Sequence, residues 1–187
     1  MVLINKKLVV SLQSMNCNAI GLTGADANII PAIKRPVSEI DYGFVGDIIS
    51  SQLAVDSLQL FLDNNIVPVV APLTHDGKGQ LLNTNADTIA SSLAVALSRL
   101  FDVRLIYCFE KKGVLENITD ETSVISLINH EKYQQLLQDK KLADGILPKI
   151  ENAFAAIDSG VKEVLIGDAN DLLQNVTKST IGTLIKL

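Results

Sequence analysis

The 187 residues carry 48% hydrophobic and 20% charged side chains with 11 glycines and 5 prolines, which excludes disordered, collagenous and low-complexity classes and suffices for a buried core. A formal charge of -5 with 4% aromatic residues and no tryptophan argues against a nucleic-acid partner or a membrane surface. Cys17 and Cys108 belong to no CxxC or Cys/His cluster and no stretch is apolar enough to span a bilayer, so a soluble chain in a reducing, cytoplasmic compartment is expected, without disulfide or zinc.

Ile4, Leu8, Leu12 and Met15 share one helical stripe, so the chain opens in an amphipathic helix without a cap. Residues 16–18 make the turn out, and 19–23 a short strand ending in the loop Gly24-Ala25-Asp26. Strand-forming runs at 29–37 and 43–49 predict a hairpin-like excursion. Leu58, Phe61 and Leu62 return at helical spacing, predicting a helix over 53–64 that Asn64-Asn65 stops. The apolar run 66–72 reads as a buried strand whose two prolines place it near an edge or a strand end. Residues 75–79 are a turn, and 86–100 a helix capped by Asn85. A second buried strand over 103–109 and a loop over 110–113 follow, then helices over 126–139 and 148–159, the latter with Ile150, Phe154 and Ile157 on one face. A strand over 161–166, a short helix near Asp171 and a last strand over 182–185 complete the chain. This alternation predicts an α/β fold with a mainly parallel central sheet covered on both faces, divided near 101–103 into lobes 1–102 and 103–187.

Pro148 is at home in the first turn of a helix, but Lys149 beside it sets a cation at the positive end of the macrodipole. That lysine is either a solvated surface residue or, together with the helix N-terminus, the holder of an anion such as a transferring phosphoryl group. Residues 83–87 lead from a strand into a helix, where Asn85 and Asp87 are favoured as simple capping groups. Asn83 falls at the edge on which parallel α/β sheets place ligands, and its amide could read a substrate. Gly21-Leu22-Thr23-Gly24 and Lys111-Lys112-Gly113 can each approach a phosphate through backbone amides. GxxxxGK[ST], GxGxxG, HRD and DFG are absent, so neither a P-loop enzyme nor a protein kinase is indicated. His75 and His130 read as solvent-facing, and both cysteines as buried small hydrophobes.

Taken in order, NAIGLTGADAN, EIDYGFVGDI, IVPVVAPL, GQLLNTNADTIASSLA, IYCFEKKGVL and LADGILPKIENAFAAIDSGV resemble the acetylglutamate kinases of the amino-acid kinase family, LLNTNADTIA being the most specific stretch. The resemblance runs from about Leu3 to Gly182-Thr183 and implies that family's three-layer, carbamate kinase-like sandwich. It implies ATP-dependent phosphorylation of the γ-carboxylate of N-acetylglutamate in arginine biosynthesis. Asn83 would then hold the amino-acid substrate, Asp87 organise the catalytic lysines and Lys149 stabilise the moving phosphoryl group. Glu110, Lys111, Lys112, Gly113, Val114, Leu115, Lys141, Leu142 and Ala143 would line ATP, with Mg²⁺ bridging the phosphates and no metal site made by protein ligands.

The family's opening strand with its lysine and glycines, its second glycine-rich loop and its substrate-gripping arginine have no counterpart in this sequence. The resemblance therefore implies an N-terminally incomplete chain with a partial acceptor lobe, and a homodimer whose pairing helix is mostly missing. Ala27 stands where relatives often have glycine, and Ile146 where they have methionine. Two other readings stay open: N-succinylglutamate as the acceptor, and a non-catalytic nucleotide-binding or interaction fragment of the same fold.

Overall fold

The computed structural model describes every residue except 118, 140, 141, 143, 144 and 178. The chain divides into two compact units, Met1–Ala96 and Leu97–Leu187.

In the first unit the predicted opening helix is α1 (Val2–Ser14), but its apolar stripe does not reach a core: Ile4, Leu8 and Met15 are exposed, and the one buried residue is Asn5. The helix docks instead by polar contacts on a parallel pair of strands, β1 (Ala19–Leu22) and β4 (Val67–Val70). Asn5 Nδ2 donates to the Val69 carbonyl at 2.7 Å, and Lys6 Nζ to the Gly21 carbonyl at 2.8 Å. A methyl group on Gly21 would overlap the Asn5 side chain, so this glycine serves helix docking. The neighbouring amides are also spoken for: Thr23 N–H donates to the Asp26 carboxylate at 2.6 Å and Gly24 N–H to the Leu73 carbonyl at 2.7 Å. Residues 21–24 therefore do not form the phosphate cradle considered from the sequence.

The run 66–72 contains β4, but not as a buried strand. Val67 is 44% exposed and the other three residues are half-buried, because among the described residues β4 pairs with β1 alone, in a two-stranded sheet. Pro68 has no N–H to give a ladder, which suits a strand with an open edge. Two antiparallel hairpins follow the chain, β2 (Ala32–Lys34) with β3 (Gly46–Ile48), and β5 (Leu73–His75) with β6 (Leu81–Asn83). Arg35 clasps the first of them through a two-toothed contact with Asp47, whose hydrogen bonds and then charge raise the guanidinium pKa. Between the strands runs α2 (Val55–Asp63), ended as expected at Asn64 and by Asn65 at φ 55. The core of this unit is Ile29, Ile30, Leu58 and Leu82. Its last helix is α3 (Ala86–Leu97), where Asn85 Oδ1 accepts from Thr88 N–H at 3.1 Å, the predicted cap.

The second unit is built on one sheet with the order β7-β9-β10-β8. Its strands are β7 (Arg104–Phe109), β8 (Leu127–Ile128), β9 (Glu163–Asp168) and β10 (Thr183–Ile185). The β7–β9 and β8–β10 pairs are parallel and β9–β10 is antiparallel, so the sheet is mixed but mainly parallel. Val164, Leu165 and Ile166 are consecutive and fully buried, which requires cover on both faces. The helices are α4 (His130–Gln138), α5 (Leu147–Asp158) and α6 (Leu172–Asn175). On α5, Ile150, Phe154 and Ile157 are buried as their spacing predicts.

Two expectations need correction here. The helix expected over 126–139 starts only at His130, since Leu127 and Ile128 pair with β10 and Asn129 caps the helix by accepting from Lys132 N–H at 2.8 Å. Cys108 is exposed and Cys17 only half-buried, Cys108 because β7 lies at the end of the sheet with Leu105 and Tyr107 as its inward residues. Among the described residues no helix is long and apolar enough to cross a membrane.

Candidate functional site

In the first unit the candidate residues gather at the corner between β6 and α3. Asn83 ends β6 with an exposed side chain, while its N–H donates to the Phe44 carbonyl at 2.7 Å. Its strand pairs antiparallel with β5, and Asn83 itself makes a single parallel bridge to Val45, so it stands at the end of a hairpin and not on a continuous parallel sheet. The corner is held by the next residue. The buried Thr84 hydroxyl donates to the Gly46 carbonyl at 3.1 Å and so accepts from the Thr74 hydroxyl at 2.8 Å. A Cβ on Gly46 would lie 2.7 Å from both hydroxyls, which is why β3 carries a glycine there. Asp87 stands half-buried in the first turn of α3, where the unpaired amides favour a carboxylate.

His75 departs from its expected solvent-facing role. Its Nδ1 accepts from Gly77 N–H at 3.2 Å, and Nε2 is shut away from solvent with no hydrogen-bond partner among the described residues. The adjoining turn takes its shape from Asp76, whose carboxylate accepts from the amides of Lys78 at 2.8 Å and Gln80 at 3.1 Å. Those two hydrogen bonds hold the Asp76 pKa below the usual carboxylate range. His130 in the second unit is about half exposed, with its ring stacked on Phe154 at 4.2 Å between centroids.

In the second unit the candidates gather at the C-terminal ends of β7 and β9, which lie side by side with Phe109 opposite Asp168. Lys149 is in the first turn of α5 and places Nζ 5.4 Å from the Tyr107 ring centre and 5.8 Å from that of Phe109. Aromatic faces attract an ammonium, so the rings help set its position at the strand end. The α5 N-cap, Ile146, offers no side-chain hydrogen bond to the helix, and Pro148 removes one N–H from its first turn. A cation and the positive end of a helix dipole thus adjoin the edge where parallel strands present ligands.

The segment 110–115 leaves β7 at this edge. Glu110 and Lys112 are exposed, and Lys111 Nζ meets Glu121 at 2.9 Å on the surface, where such a pair adds little stability. Gly113 and Val114 face inward. Val114 N–H donates to Thr183 Oγ1 at 2.7 Å and its carbonyl accepts from Ile125 N–H at 2.8 Å. Leu115 forms a bridge to Val124. Leu142 is half-buried, whereas Lys141 and Ala143 lie outside the described residues. Among the described residues no three His, Cys, Asp or Glu side chains cluster as metal ligands. Sequence reasoning passed over Thr74, Thr84 and Thr183. Their signal was a short polar residue in or just after a strand, which many solvent-facing threonines share.

Residues 1–168 match the amino acid kinase family. Over 166 residues the chain is 54% identical to the acetylglutamate kinase of Bacteroides fragilis, covering 88% of this chain and 62% of that protein. It therefore spans less than two thirds of that relative's length. The structure superposes on smu.665 of Streptococcus mutans UA159 with a TM-score of 0.76 at 31% identity, over 98% of this chain and 67% of that one. A Giardia carbamate kinase, at 14% identity and a TM-score of 0.66 over 97% of this chain and 67% of that one, shares the fold. The α/β architecture, the ordered motifs and these matches have one explanation: the chain belongs to the amino acid kinase family.

Proposed function

We propose that this chain binds ATP through its second unit and serves the phosphorylation of the γ-carboxylate of an N-acylated glutamate, N-acetylglutamate first. The observation that carries the proposal is Lys149, whose ammonium sits over Tyr107 and Phe109 at the end of β7, beside the start of segment 110–115. In such a transfer a carboxylate oxygen attacks the γ-phosphorus, the bond to the ADP oxygen breaks, and an acyl phosphate forms. Little covalent work is left to the protein; fixed positive charge and positioning lower the barrier. Lys149 supplies charge for the transferring group. From their places in the motif LLNTNADTIA, Asp87 takes the role of orienting catalytic lysines and the Asn83 amide that of holding the amino-acid substrate.

The nucleotide lies against the exposed Glu110 and Lys112 and the half-buried Lys111, Leu115 and Leu142, with Gly113 and Val114 shaping the segment from within. The Mg²⁺ ion implied by the resemblance would be held mainly by the nucleotide's phosphates and would supply neutralisation of their charge. The assigned compartment is the cytoplasm, which suits two cysteines left as free thiols.

Calorimetric titration of the folded chain with Mg²⁺-ATP tests the first half, with ATP expected to bind in preference to GTP. A folded chain that takes up no ATP at millimolar nucleotide overturns the proposal. A hydroxamate assay then reads acyl phosphate, with N-acetylglutamate and N-succinylglutamate as parallel acceptors. Binding without transfer to either would leave a nucleotide-binding module.

A further inference from the structure

Thr183 is fully buried, and its hydroxyl is the acceptor for the N–H of Val114, inside the segment assigned above to the nucleotide. The anchor is rigid on its own side. Thr183 pairs with Ile166 across the antiparallel β9–β10 ladder. The preceding residue, Gly182, comes so close that a Cβ would lie 2.6 Å from the Ile166 carbonyl oxygen. Asn175, 1% exposed, then gathers the approach to β10: its Oδ1 accepts from the Thr180 hydroxyl at 3.0 Å and from the N–H groups of Ile181 and Gly182, each at 3.2 Å. On the other side, a Cβ on Gly113 would lie 2.6 Å from Thr183 Oγ1. The loop therefore closes onto the hydroxyl with no space for a side chain between them.

We infer that Thr183 is a positioning residue for the nucleotide segment, its hydroxyl fixing Val114 so that the flanking Glu110, Lys111, Lys112 and Leu115 stand in one arrangement. A threonine is needed there because Val114 N–H is buried and has to be met by an acceptor. Isosteric valine fills the same volume and leaves that N–H unsatisfied, so the segment has to move to find water or another carbonyl. The inference rests on the assignment of segment 110–115 to ATP.

The test compares Mg²⁺-ATP affinity in the unsubstituted chain and four variants by calorimetry, well below their melting temperatures, with amide exchange at Val114 read alongside. Thr183→Val is expected to weaken ATP binding about tenfold or more and to speed exchange at Val114. Thr183→Ser, which keeps the acceptor, is expected to bind within about twofold of the unsubstituted chain. Ile185→Val, on the same strand and fully buried, is expected to lower stability without changing affinity. Thr183→Ala removes the same acceptor and supplies the reading if the valine variant does not fold. Affinity within about twofold in the variants lacking the hydroxyl overturns the inference, as does an equal loss in Ile185→Val. Absence of ATP binding by the unsubstituted chain defeats the nucleotide assignment itself, and the inference with it.

Discussion

β4 in the first unit and β9 in the second are both short apolar strands lying parallel to a neighbour, and from composition they look alike. Their environments differ sharply. β9 has a partner on each edge, β7 and β10, and Val164, Leu165 and Ile166 are closed off from water. Among the described residues β4 has one partner. One apolar cavity of about 310 Å³, lined by Ile4, Leu8, Val69 and Ala71, and another of about 250 Å³, lined by Pro68, Val70, Ile89 and Leu93, adjoin it. An apolar run reports what a strand can bury; the number of paired edges and the layers packed on its faces decide what it does bury. Gross stability should accordingly concentrate around β9.

The largest expected effect follows directly. Ile166→Ala empties a site enclosed on every side and should cost about 2–5 kcal/mol. Val69→Ala in β4 removes two methyl groups from a half-buried position and should cost below about 1.5 kcal/mol. Denaturant unfolding, followed by amide exchange within each unit, measures both; equal costs would break the comparison.

The chemistry should show its own asymmetry between the units. Lys149→Met is expected to lower phosphoryl transfer by about a hundredfold to a thousandfold, with the fold retained by circular dichroism. A transfer rate within about threefold of the unsubstituted chain would return Lys149 to the surface reading. In the first unit Asp87→Asn is the sharper probe, because the helix start tolerates an amide almost as well as a carboxylate. Its stability should change by well under about 1 kcal/mol while turnover falls by about a hundredfold. Unchanged turnover would make Asp87 a helix-start carboxylate and nothing more.

What could be read from the sequence divides along the same line. Periodicity located α5 and its buried face, Asn85 located the start of α3, and the paired asparagines located the end of α2, because caps and stripes act over a few residues. The motif LLNTNADTIA brought Asn83 and Asp87 to one corner for the same local reason. Misreadings came where a distant partner decides. The α1 stripe looked core-facing, but it is Asn5 that meets β4, 64 residues away. Leu127 and Ile128 looked like the start of a helix, yet they pair with β10, far along the chain. Thr183 meets Val114 across 69 residues, and no local pattern marks that bond. The misread strand and the missed anchor share a cause, since hydrogen bonds of such separation leave no periodic trace.

The smallest effect concerns how the helices of the second unit are tied together. Tyr133 of α4 is buried, and its hydroxyl donates to the Glu151 carboxylate of α5 at 3.3 Å. Burial first, and then the Glu151 charge and hydrogen bond, raise the Tyr133 pKa above the ordinary tyrosine value. The folded protein thus holds this proton more tightly than the unfolded chain does. The contribution is fully present below the unfolded pKa of about 10 and is lost as pH rises through the higher folded value. Tyr133→Phe should cost about 0.5–1.5 kcal/mol at pH 8, the usual worth of one hydrogen bond. Above pH ~10 that difference should narrow, since an ionised Tyr133 would face the Glu151 carboxylate as a like charge. Denaturant midpoints for the two proteins at several alkaline pH values read the gap directly. A gap that stays constant through the alkaline range would mean that the hydroxyl contributes by packing and that the α4–α5 tie does not depend on its proton.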